Sequence, residues 1–273
     1  MKILITGAAG FLGKEFTRYY TQEHEVISLS RNELDVSIES QVIDFFNNND
    51  TDIILHTAFV GGKRDQEDSF FDFYQNITAY RNLILHKDKS TLLFCFGSGA
   101  AYDRERPIRN VLEEELGVCH PKDYYGKAKN IISSHIETTW GSNTYDFRLF
   151  GCFGREETDA RFIKNVLHQR ALGKPITIHK NKLMDFFYVG DLCRTINHYV
   201  QHKDTNLPIT LNMVYEKKYT LSEIATHLCG KTYPLTVYEE GLDFYTGDGS
   251  KLASLSIPLV GMFTGIEKAN YNV

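Results

Sequence analysis

Thr6-Gly-Ala-Ala-Gly-Phe-Leu-Gly13 decides how this chain is read. Before it stands the apolar run Lys2-Ile3-Leu4-Ile5, and after it residues 11–22 mix apolar and charged side chains as a helix does. A glycine-rich turn between strand and helix has a physical use. Gly7 permits the tight turn, Gly10 lets the backbone approach a pyrophosphate, and Gly13 allows close packing of the helix. The unpaired N–H groups of the helix start, where Phe11 and Leu12 lie, suit the phosphates. Gly7, Gly10, Phe11, Leu12 and Gly13 are therefore the expected cradle of a dinucleotide cofactor.

Outward from this turn, short apolar runs alternate with helical patterns, with strands expected at 2–6, 25–29, 52–56, 92–97 and 144–148 and helices near 11–22, 39–48, 68–88 and 122–140. That alternation predicts an α/β fold, a doubly wound parallel sheet of Rossmann type. Beyond Gly154 the elements shorten: a helix near 159–172, a strand at 176–178, a helix near 191–201, and a helix start at Thr220-Leu-Ser-Glu223 with a reciprocal cap. The expected division is a cofactor-binding domain over 1–154 and a smaller, mainly substrate-binding lobe over 155–273, with the segment near 185–201 returning to the first domain. Gly247-Asp-Gly-Ser-Lys251 lacks a preceding strand and the full spacing of a phosphate loop. It reads as a turn into a short helix capped by Asp248 or Ser250.

Composition narrows the partners. The net charge of −5 arises from 35 acidic and 30 basic residues that are interspersed, so no basic footprint for nucleic acid is present. Cys95, Cys119, Cys152, Cys193 and Cys229 form no CxxC pair and are odd in number, which argues against a zinc site or a disulfide framework and fits a reducing cytoplasm. Cys95 and Cys152 lie in apolar stretches as small core residues. The histidines show no ligand spacing, and no metal is expected. No secretory leader pattern and no run of about 18 apolar residues occurs, so no membrane association is expected. The aromatic run Phe70-Phe71-Asp72-Phe73-Tyr74 reads as a packing or dimer face.

Cofactor choice is read where the second strand ends, since a carboxylate there holds a ribose 2′-hydroxyl and a cation accepts a 2′-phosphate. Ser28-Leu29-Ser30-Arg31 is not acidic, so Ser30 and Arg31 point to NADP(H), with NAD(H) the alternative because Glu33 stands close by. Asp35, beside Val36, is placed to meet the adenine amino group.

Tyr125-Gly-Lys-Ala-Lys129 sets a phenol and an ammonium one helical turn apart, on one face. Upstream, Phe96-Gly97-Ser98-Gly99 ends the fourth strand and delivers a hydroxyl at the carboxyl edge of the sheet. A tyrosine that exchanges protons with a sugar alcohol or ketone needs its pKa brought down from about 10, and a neighbouring Lys⁺ with an oxidised nicotinamide favours the phenolate. Ser98 would hold the carbonyl oxygen, Tyr125 would move the proton, and Lys129 would tune it and anchor the nicotinamide ribose.

Glycine turn, strand-end serine and YxxxK in this order resemble the extended short-chain dehydrogenase/reductase family of nucleotide-sugar epimerases, dehydratases and reductases. Further matching stretches are His56-Thr-Ala58, Asn76, 148–154 and Asp185-Phe-Phe-Tyr-Val-Gly-Asp191, so the likeness spans nearly the whole chain. The resemblance implies a Rossmann domain, cofactor contacts at Val36, Ala58 and Asn76, a lobe gripping a nucleotide diphosphate-sugar, and a homodimer through the helices near 68–88 and 122–140. Within the family, Arg31-Asn-Glu-Leu-Asp35 and residues 56–62 are most similar to GDP-fucose synthase-like 4-ketoreductases. The cysteine and histidine with which those enzymes epimerise fall at Ala100 and Arg161, and neither residue type supplies a base. Two positions that usually hold substrate are also changed, an asparagine to Gly151 and an arginine to Met184. Arg161, Lys164 and Lys182 are placed to supply the missing charge, with Ser98, Gly99 and Met184 around the sugar. The resemblance thus implies NADPH-dependent reduction of the C4 ketone of a nucleotide-linked 4-keto-6-deoxy sugar without 3,5-epimerisation. An NAD-dependent 4-epimerase is the alternative, and a non-catalytic cofactor sensor on the same fold a third.

Overall fold

The structure, a computed structural model, describes every residue except 63–65, 119, 140–142, 204 and 272–273. Cys119 therefore lies outside the described residues. The chain runs β1 (Lys2–Thr6), α1 (Phe11–Tyr20), β2 (Glu25–Leu29), α2 (Glu39–Asn48), β3 (Ile53–His56), α3 (Phe70–His86), β4 (Leu92–Cys95), β5 (Ile108–Val111), α4 (Tyr124–Thr138) and β6 (Thr144–Leu149). It continues through β7 (Cys152–Phe153), α5 (Phe162–Ala171), β8 (Ile176–Met184), β9 (Phe187–Tyr188), α6 (Val189–Gln201), β10 (Thr210–Met213), α7 (Leu221–Cys229), β11 (Leu235–Gly247), α8 (Ser250–Ser254) and α9 (Met262–Ala269).

Six parallel strands form the central sheet in the order β10-β6-β4-β3-β1-β2. Both faces are covered, which is why β1, β3 and β4 read as continuous apolar runs. Ile3, Ile5, Ile53, Leu55 and Phe94 point into one core with Phe16 of α1 and Leu192 and Ile196 of α6. Leu4, Ile54, Leu93 and Cys95 point the other way, onto Val42 of α2, Tyr80 and Leu83 of α3 and Ile132 and Ile136 of α4. The order of the strands reverses at β1, with β2 on one side of it and β3 on the other, and the crevice at a doubly wound sheet's reversal point is where ligands bind.

The expected α/β doubly wound sheet is present, and the differences from the sequence reading have local causes. β4 stops at Cys95, because beyond it the Phe96 carbonyl accepts from Lys129 and Ser98 bridges to Leu149. β8 runs on to Met184, far past residue 178, because β11 lies parallel alongside it in a second sheet of order β5-β11-β8. β11 carries the positive-φ Gly241 inside the break in its register, so no uninterrupted strand pattern shows in its sequence. β10, four residues with polar Thr210 and Asn212, completes the sheet beside β6. The Thr220–Glu223 capping box forms as read. At α8 the cap is Gly249, while Asp248 accepts from the Ser250 N–H at 2.9 Å just ahead of the helix. Among the described residues no helix is long and apolar enough to cross a membrane.

One carboxylate ties the C-terminal segments together. Asp191, fully buried in the first turn of α6, accepts from Tyr215 Oη at 2.6 Å, from the N–H groups of Val260 and Gly261 at 2.9 and 3.0 Å, and from Arg194 at 3.2 Å. Asp191→Ala strands those donors, and urea unfolding is expected to show a loss of about 3–5 kcal/mol. A loss below about 1 kcal/mol, the value of one ordinary hydrogen bond, would show that Asp191 does not hold the segments together.

Candidate active site

The glycine turn has no room for side chains. Gly7 has φ +72°, and a Cβ there would lie 2.6 Å from the Ala58 nitrogen; one on Gly13 would lie 2.5 Å from the Gly7 carbonyl. α1 starts at Gly10 with no side-chain cap, so its first N–H groups are free for an anion. Two cavities flank the turn. The first, about 240 Å³, is lined by Gly7, Gly10, Arg31, Asp35, Ala58 and Asn76 among others, with Val36 in its wall. The second, about 380 Å³, is lined by Phe11, Leu12, Ser98, Tyr125, Lys129 and Met184 among others. Glycine cradle, uncapped helix start and a cavity on each side together fit a dinucleotide.

At the end of β2, Ser30 uses both its N–H and its hydroxyl on Glu33, at 2.8 and 2.7 Å. Glu33 thereby folds back on the turn. Arg31 Nε donates to Asp35 at 2.9 Å, and the other Asp35 oxygen accepts from the Ser37 N–H and hydroxyl. The Arg31 side chain is half exposed and borders the first cavity. Asn76 lies in the same wall, but both its amide atoms bond the Val60 backbone, at 2.8 and 2.9 Å. It shapes the cavity through Val60.

Ser98, Tyr125 and Lys129 come together as the sequence predicts, although they belong to the end of β4 and to α4. Asp123 caps α4 by accepting from the Gly126 N–H, fixing the turn that carries Tyr125. The Gly62 backbone lies on the Tyr125 ring, where a Cβ would approach within 2.7 Å. Lys129 Nζ donates to the Phe96 carbonyl at 2.7 Å and sits 3.3 Å from the centre of the Phe59 ring. Burial pulls the Lys129 ammonium down to about 8 against the pull of Asp146. Burial raises the Tyr125 phenol above the usual value, outweighing the opposing influence of Ser98, Arg104 and Arg161.

Around the rest of the cavity Arg104, Arg161 and Lys182 contribute positive charge. Lys164 stays outside this lining, bonded to the Glu157 carbonyl at 2.8 Å and paired with Asp159 at 3.0 Å. Gly99 presses against Phe150 and the Tyr245 hydroxyl, where a Cβ would lie 2.5 and 2.8 Å away. The site of the missing asparagine, Gly151, faces the Asp185 carbonyl, which a Cβ would meet at 2.5 Å. Ala100, the position of the epimerising cysteine, is fully buried outside the cavity lining.

The model of the "NAD dependent epimerase/dehydratase family" matches residues 3–213. The chain belongs to this family. No curated protein matches it. Among solved structures it is similar to a GDP-mannoheptose C4 reductase from Campylobacter jejuni with NADP bound, at 19% identity and TM-score 0.82 over 98% of this chain and 96% of that one. A GDP-D-glycero-L-gluco-heptose synthase from the same organism gives 20% identity and TM-score 0.81 over the same shares. A UDP-glucose 4-epimerase from Thermus thermophilus, complexed with NAD, gives 18% identity and TM-score 0.75 over the whole of both chains.

Against this epimerase/dehydratase fold, the sequence reading missed three cavity residues. Tyr245 faces Ser98 from β11, Arg104 lies 5.7 Å from the centre of the Tyr125 ring, and His56 stands at the end of β3. His56 carried a signal in the motif His56-Thr-Ala58, whereas Tyr245 and Arg104 arrive from segments with no motif. Because Asn76 holds Val60 by two partly buried hydrogen bonds, Asn76→Ala is expected to cost about 1–3 kcal/mol in thermal unfolding and to weaken NADPH binding in fluorescence titration. Unchanged values for both would remove Asn76 from the cavity's framework.

Proposed function

We propose that this protein reduces the C4 ketone of a nucleotide-linked 4-keto-6-deoxy sugar with NADPH and does not epimerise C3 or C5. The observation that carries the reading is the convergence of Ser98, Tyr125 and Lys129 in one cavity beside the glycine turn, while Ala100 and Arg161 stand where an epimerising pair would be.

Gly7, Gly10, Phe11, Leu12 and Gly13 would hold the pyrophosphate, Asp35, Val36 and Ala58 the adenosine, and Tyr125 and Lys129 the nicotinamide ribose, with Asn76 acting through Val60. NADPH, when bound, supplies a hydride to a carbonyl carbon. Arg31 has given one N–H to Asp35, and its remaining donors suit a 2′-phosphate; Ser30 can donate its O–H to the same phosphate once Glu33 turns aside. Tyr125, kept protonated by burial, is in the form that donates to an oxygen becoming an alkoxide. Ser98 steadies the same oxygen by hydrogen bonding. The Lys129 charge favours the phenolate left behind. Arg104, Arg161 and Lys182 offer the cationic wall that a diphosphate requires, and Met184 borders the sugar, with Gly99 packed behind Phe150 and Tyr245 of the same wall. The reading extends to a cytoplasmic homodimer through α3 and α4, which leave Phe70, Phe71, Tyr74 and Ile131 exposed.

The test is NADPH oxidation over a panel of GDP-, CDP-, UDP- and dTDP-linked 4-keto sugars. GDP-linked heptoses are included because two of the similar structures carry such names. One NADPH is expected to disappear per product formed; turnover on a catalytic amount of retained cofactor would identify a 4-epimerase instead. Tyr125→Phe is expected to keep cofactor affinity and lose about 100- to 10,000-fold in kcat, and parent-like turnover would move the acid elsewhere. Arg31→Ala is expected to narrow the preference for NADPH over NADH by about 10-fold, as the loss of one charge-assisted contact to a phosphate does. Equal affinity of the parent for both cofactors would remove Arg31's role. In deuterated water the NMR spectrum of the product is expected to show no enzyme-dependent deuterium at C3 or C5.

A further inference from the structure

A smaller cavity lies beside Lys129. It measures about 10 Å³, room for one water, and its walls include His56, Cys95, Gly97, Lys129, Ser133 and Asp146. His56 Nε2, Ser133 Oγ and Asp146 Oδ1 are buried there with no hydrogen-bond partner, in residues that are 6%, 1% and 0% exposed. Buried polar atoms left unpaired are costly, and several around one water-sized space mark a water site.

The surroundings give that water a direction. Asp146 Oδ2 accepts from Arg148 Nε at 2.8 Å, which leaves Oδ1 free against the Gly97 backbone, where a Cβ would collide with it. On the adjoining residue, the Phe96 carbonyl accepts from Lys129 Nζ at 2.7 Å. Carboxylate and ammonium therefore both abut the 96–97 peptide. His56 Nδ1 is engaged with Thr6 Oγ1 at 2.9 Å, so Nε2 is the atom it turns to the cavity.

We propose that Asp146 is a positioning residue for Lys129: a water held by Ser133, His56 and the free Asp146 oxygen joins the carboxylate to the ammonium and keeps the ammonium charged beside Tyr125. The other groups around it do not supply that negative charge. His56 of β3 is held neutral, down to about 3, by burial and the Lys129 charge. Cys95 of β4 and Tyr80 of α3 are pushed up by burial, with Asp146 adding to the effect, and stay protonated, as does Tyr125 of α4. Arg148, on β6 with Asp146, is cationic and shares its charge with Glu137 at 2.5 Å. Burial alone would strip the proton from Lys129 earlier; Asp146 is the first influence opposing it.

For its activity readout the proposal rests on the reduction described above; its first readout does not. The protein is labelled with ¹³C-lysine, and the ε-carbon signal of Lys129, assigned by its loss in Lys129→Arg, is followed against pH. The parent midpoint is expected near 8, where burial and Asp146 place it. Asp146→Asn is expected to lower the midpoint by about one pH unit, and Ser133→Ala to lower it by less, each with a parent-like circular dichroism spectrum. The alkaline limb of NADPH-dependent turnover is expected to move down with it. A parent-like midpoint in Asp146→Asn overturns the proposal, even if that variant is less stable. Should Asp146→Asn not fold, Ser133→Ala decides, and an unmoved midpoint there overturns it. If the parent reduces no 4-keto sugar, the functional reading fails while the titration still judges Asp146.

Discussion

At Gly7 and Gly13 the backbone crosses itself with no space for a methyl group. The Gly7 carbonyl sits where a Gly13 Cβ would be, and the Ala58 nitrogen sits where a Gly7 Cβ would be. This contact holds the start of α1 against the carboxyl ends of β1 and β3, and the two cavities lie on either side of it. Any side chain here would push α1 outward, separating the free N–H groups from the crevice. The left-handed φ at Gly7 adds a conformational reason to the steric one.

A second constraint is electrostatic and lies deeper. Arg148, among the largest fully buried side chains, spends Nε on Asp146, Nη1 on the Tyr102 hydroxyl and the Glu113 carbonyl, and Nη2 on Glu137. Tyr102 passes the network to Asn212 of β10, whose N–H donates to Glu113 at 2.7 Å. Such a group stabilises little in net terms, since desolvation offsets the attraction. Its effect is geometric: it locks β6, β10 and α4 in one arrangement, and with them the floor on which Ser98 and Lys129 meet.

Desolvation also sets the chemistry of the site. It keeps the Tyr125 proton on and His56 neutral, and it brings Lys129 near the physiological range. Lys129 has a carbonyl and an aromatic face as its nearest partners, and at Tyr125 burial outweighs the influence of Ser98, Arg104 and Arg161.

What the sequence determined by itself is everything encoded at short range. The glycine turn, the apolar runs of β1, β3 and β4, the one-turn spacing of Tyr125 and Lys129 and the cap at Thr220 depend on residues within a few positions of one another, and the structure reproduces them. Arg31, Asp35 and Ala58, which the sequence singles out, all line the first cavity. Lys164 was not placed correctly, because a cation's direction follows from its partners, here Glu157 and Asp159. Tyr245, Arg104 and the chamber of His56, Ser133 and Asp146 were decided only by tertiary structure. Tyr245 and the residues of that chamber come from elements distant in the chain, Arg104 from an irregular turn with no motif, and β10 and β11 are strands because neighbouring strands pair with them. Burial, too, exists only once the chain has packed, and burial is what sets the charge of Tyr125, Lys129 and His56.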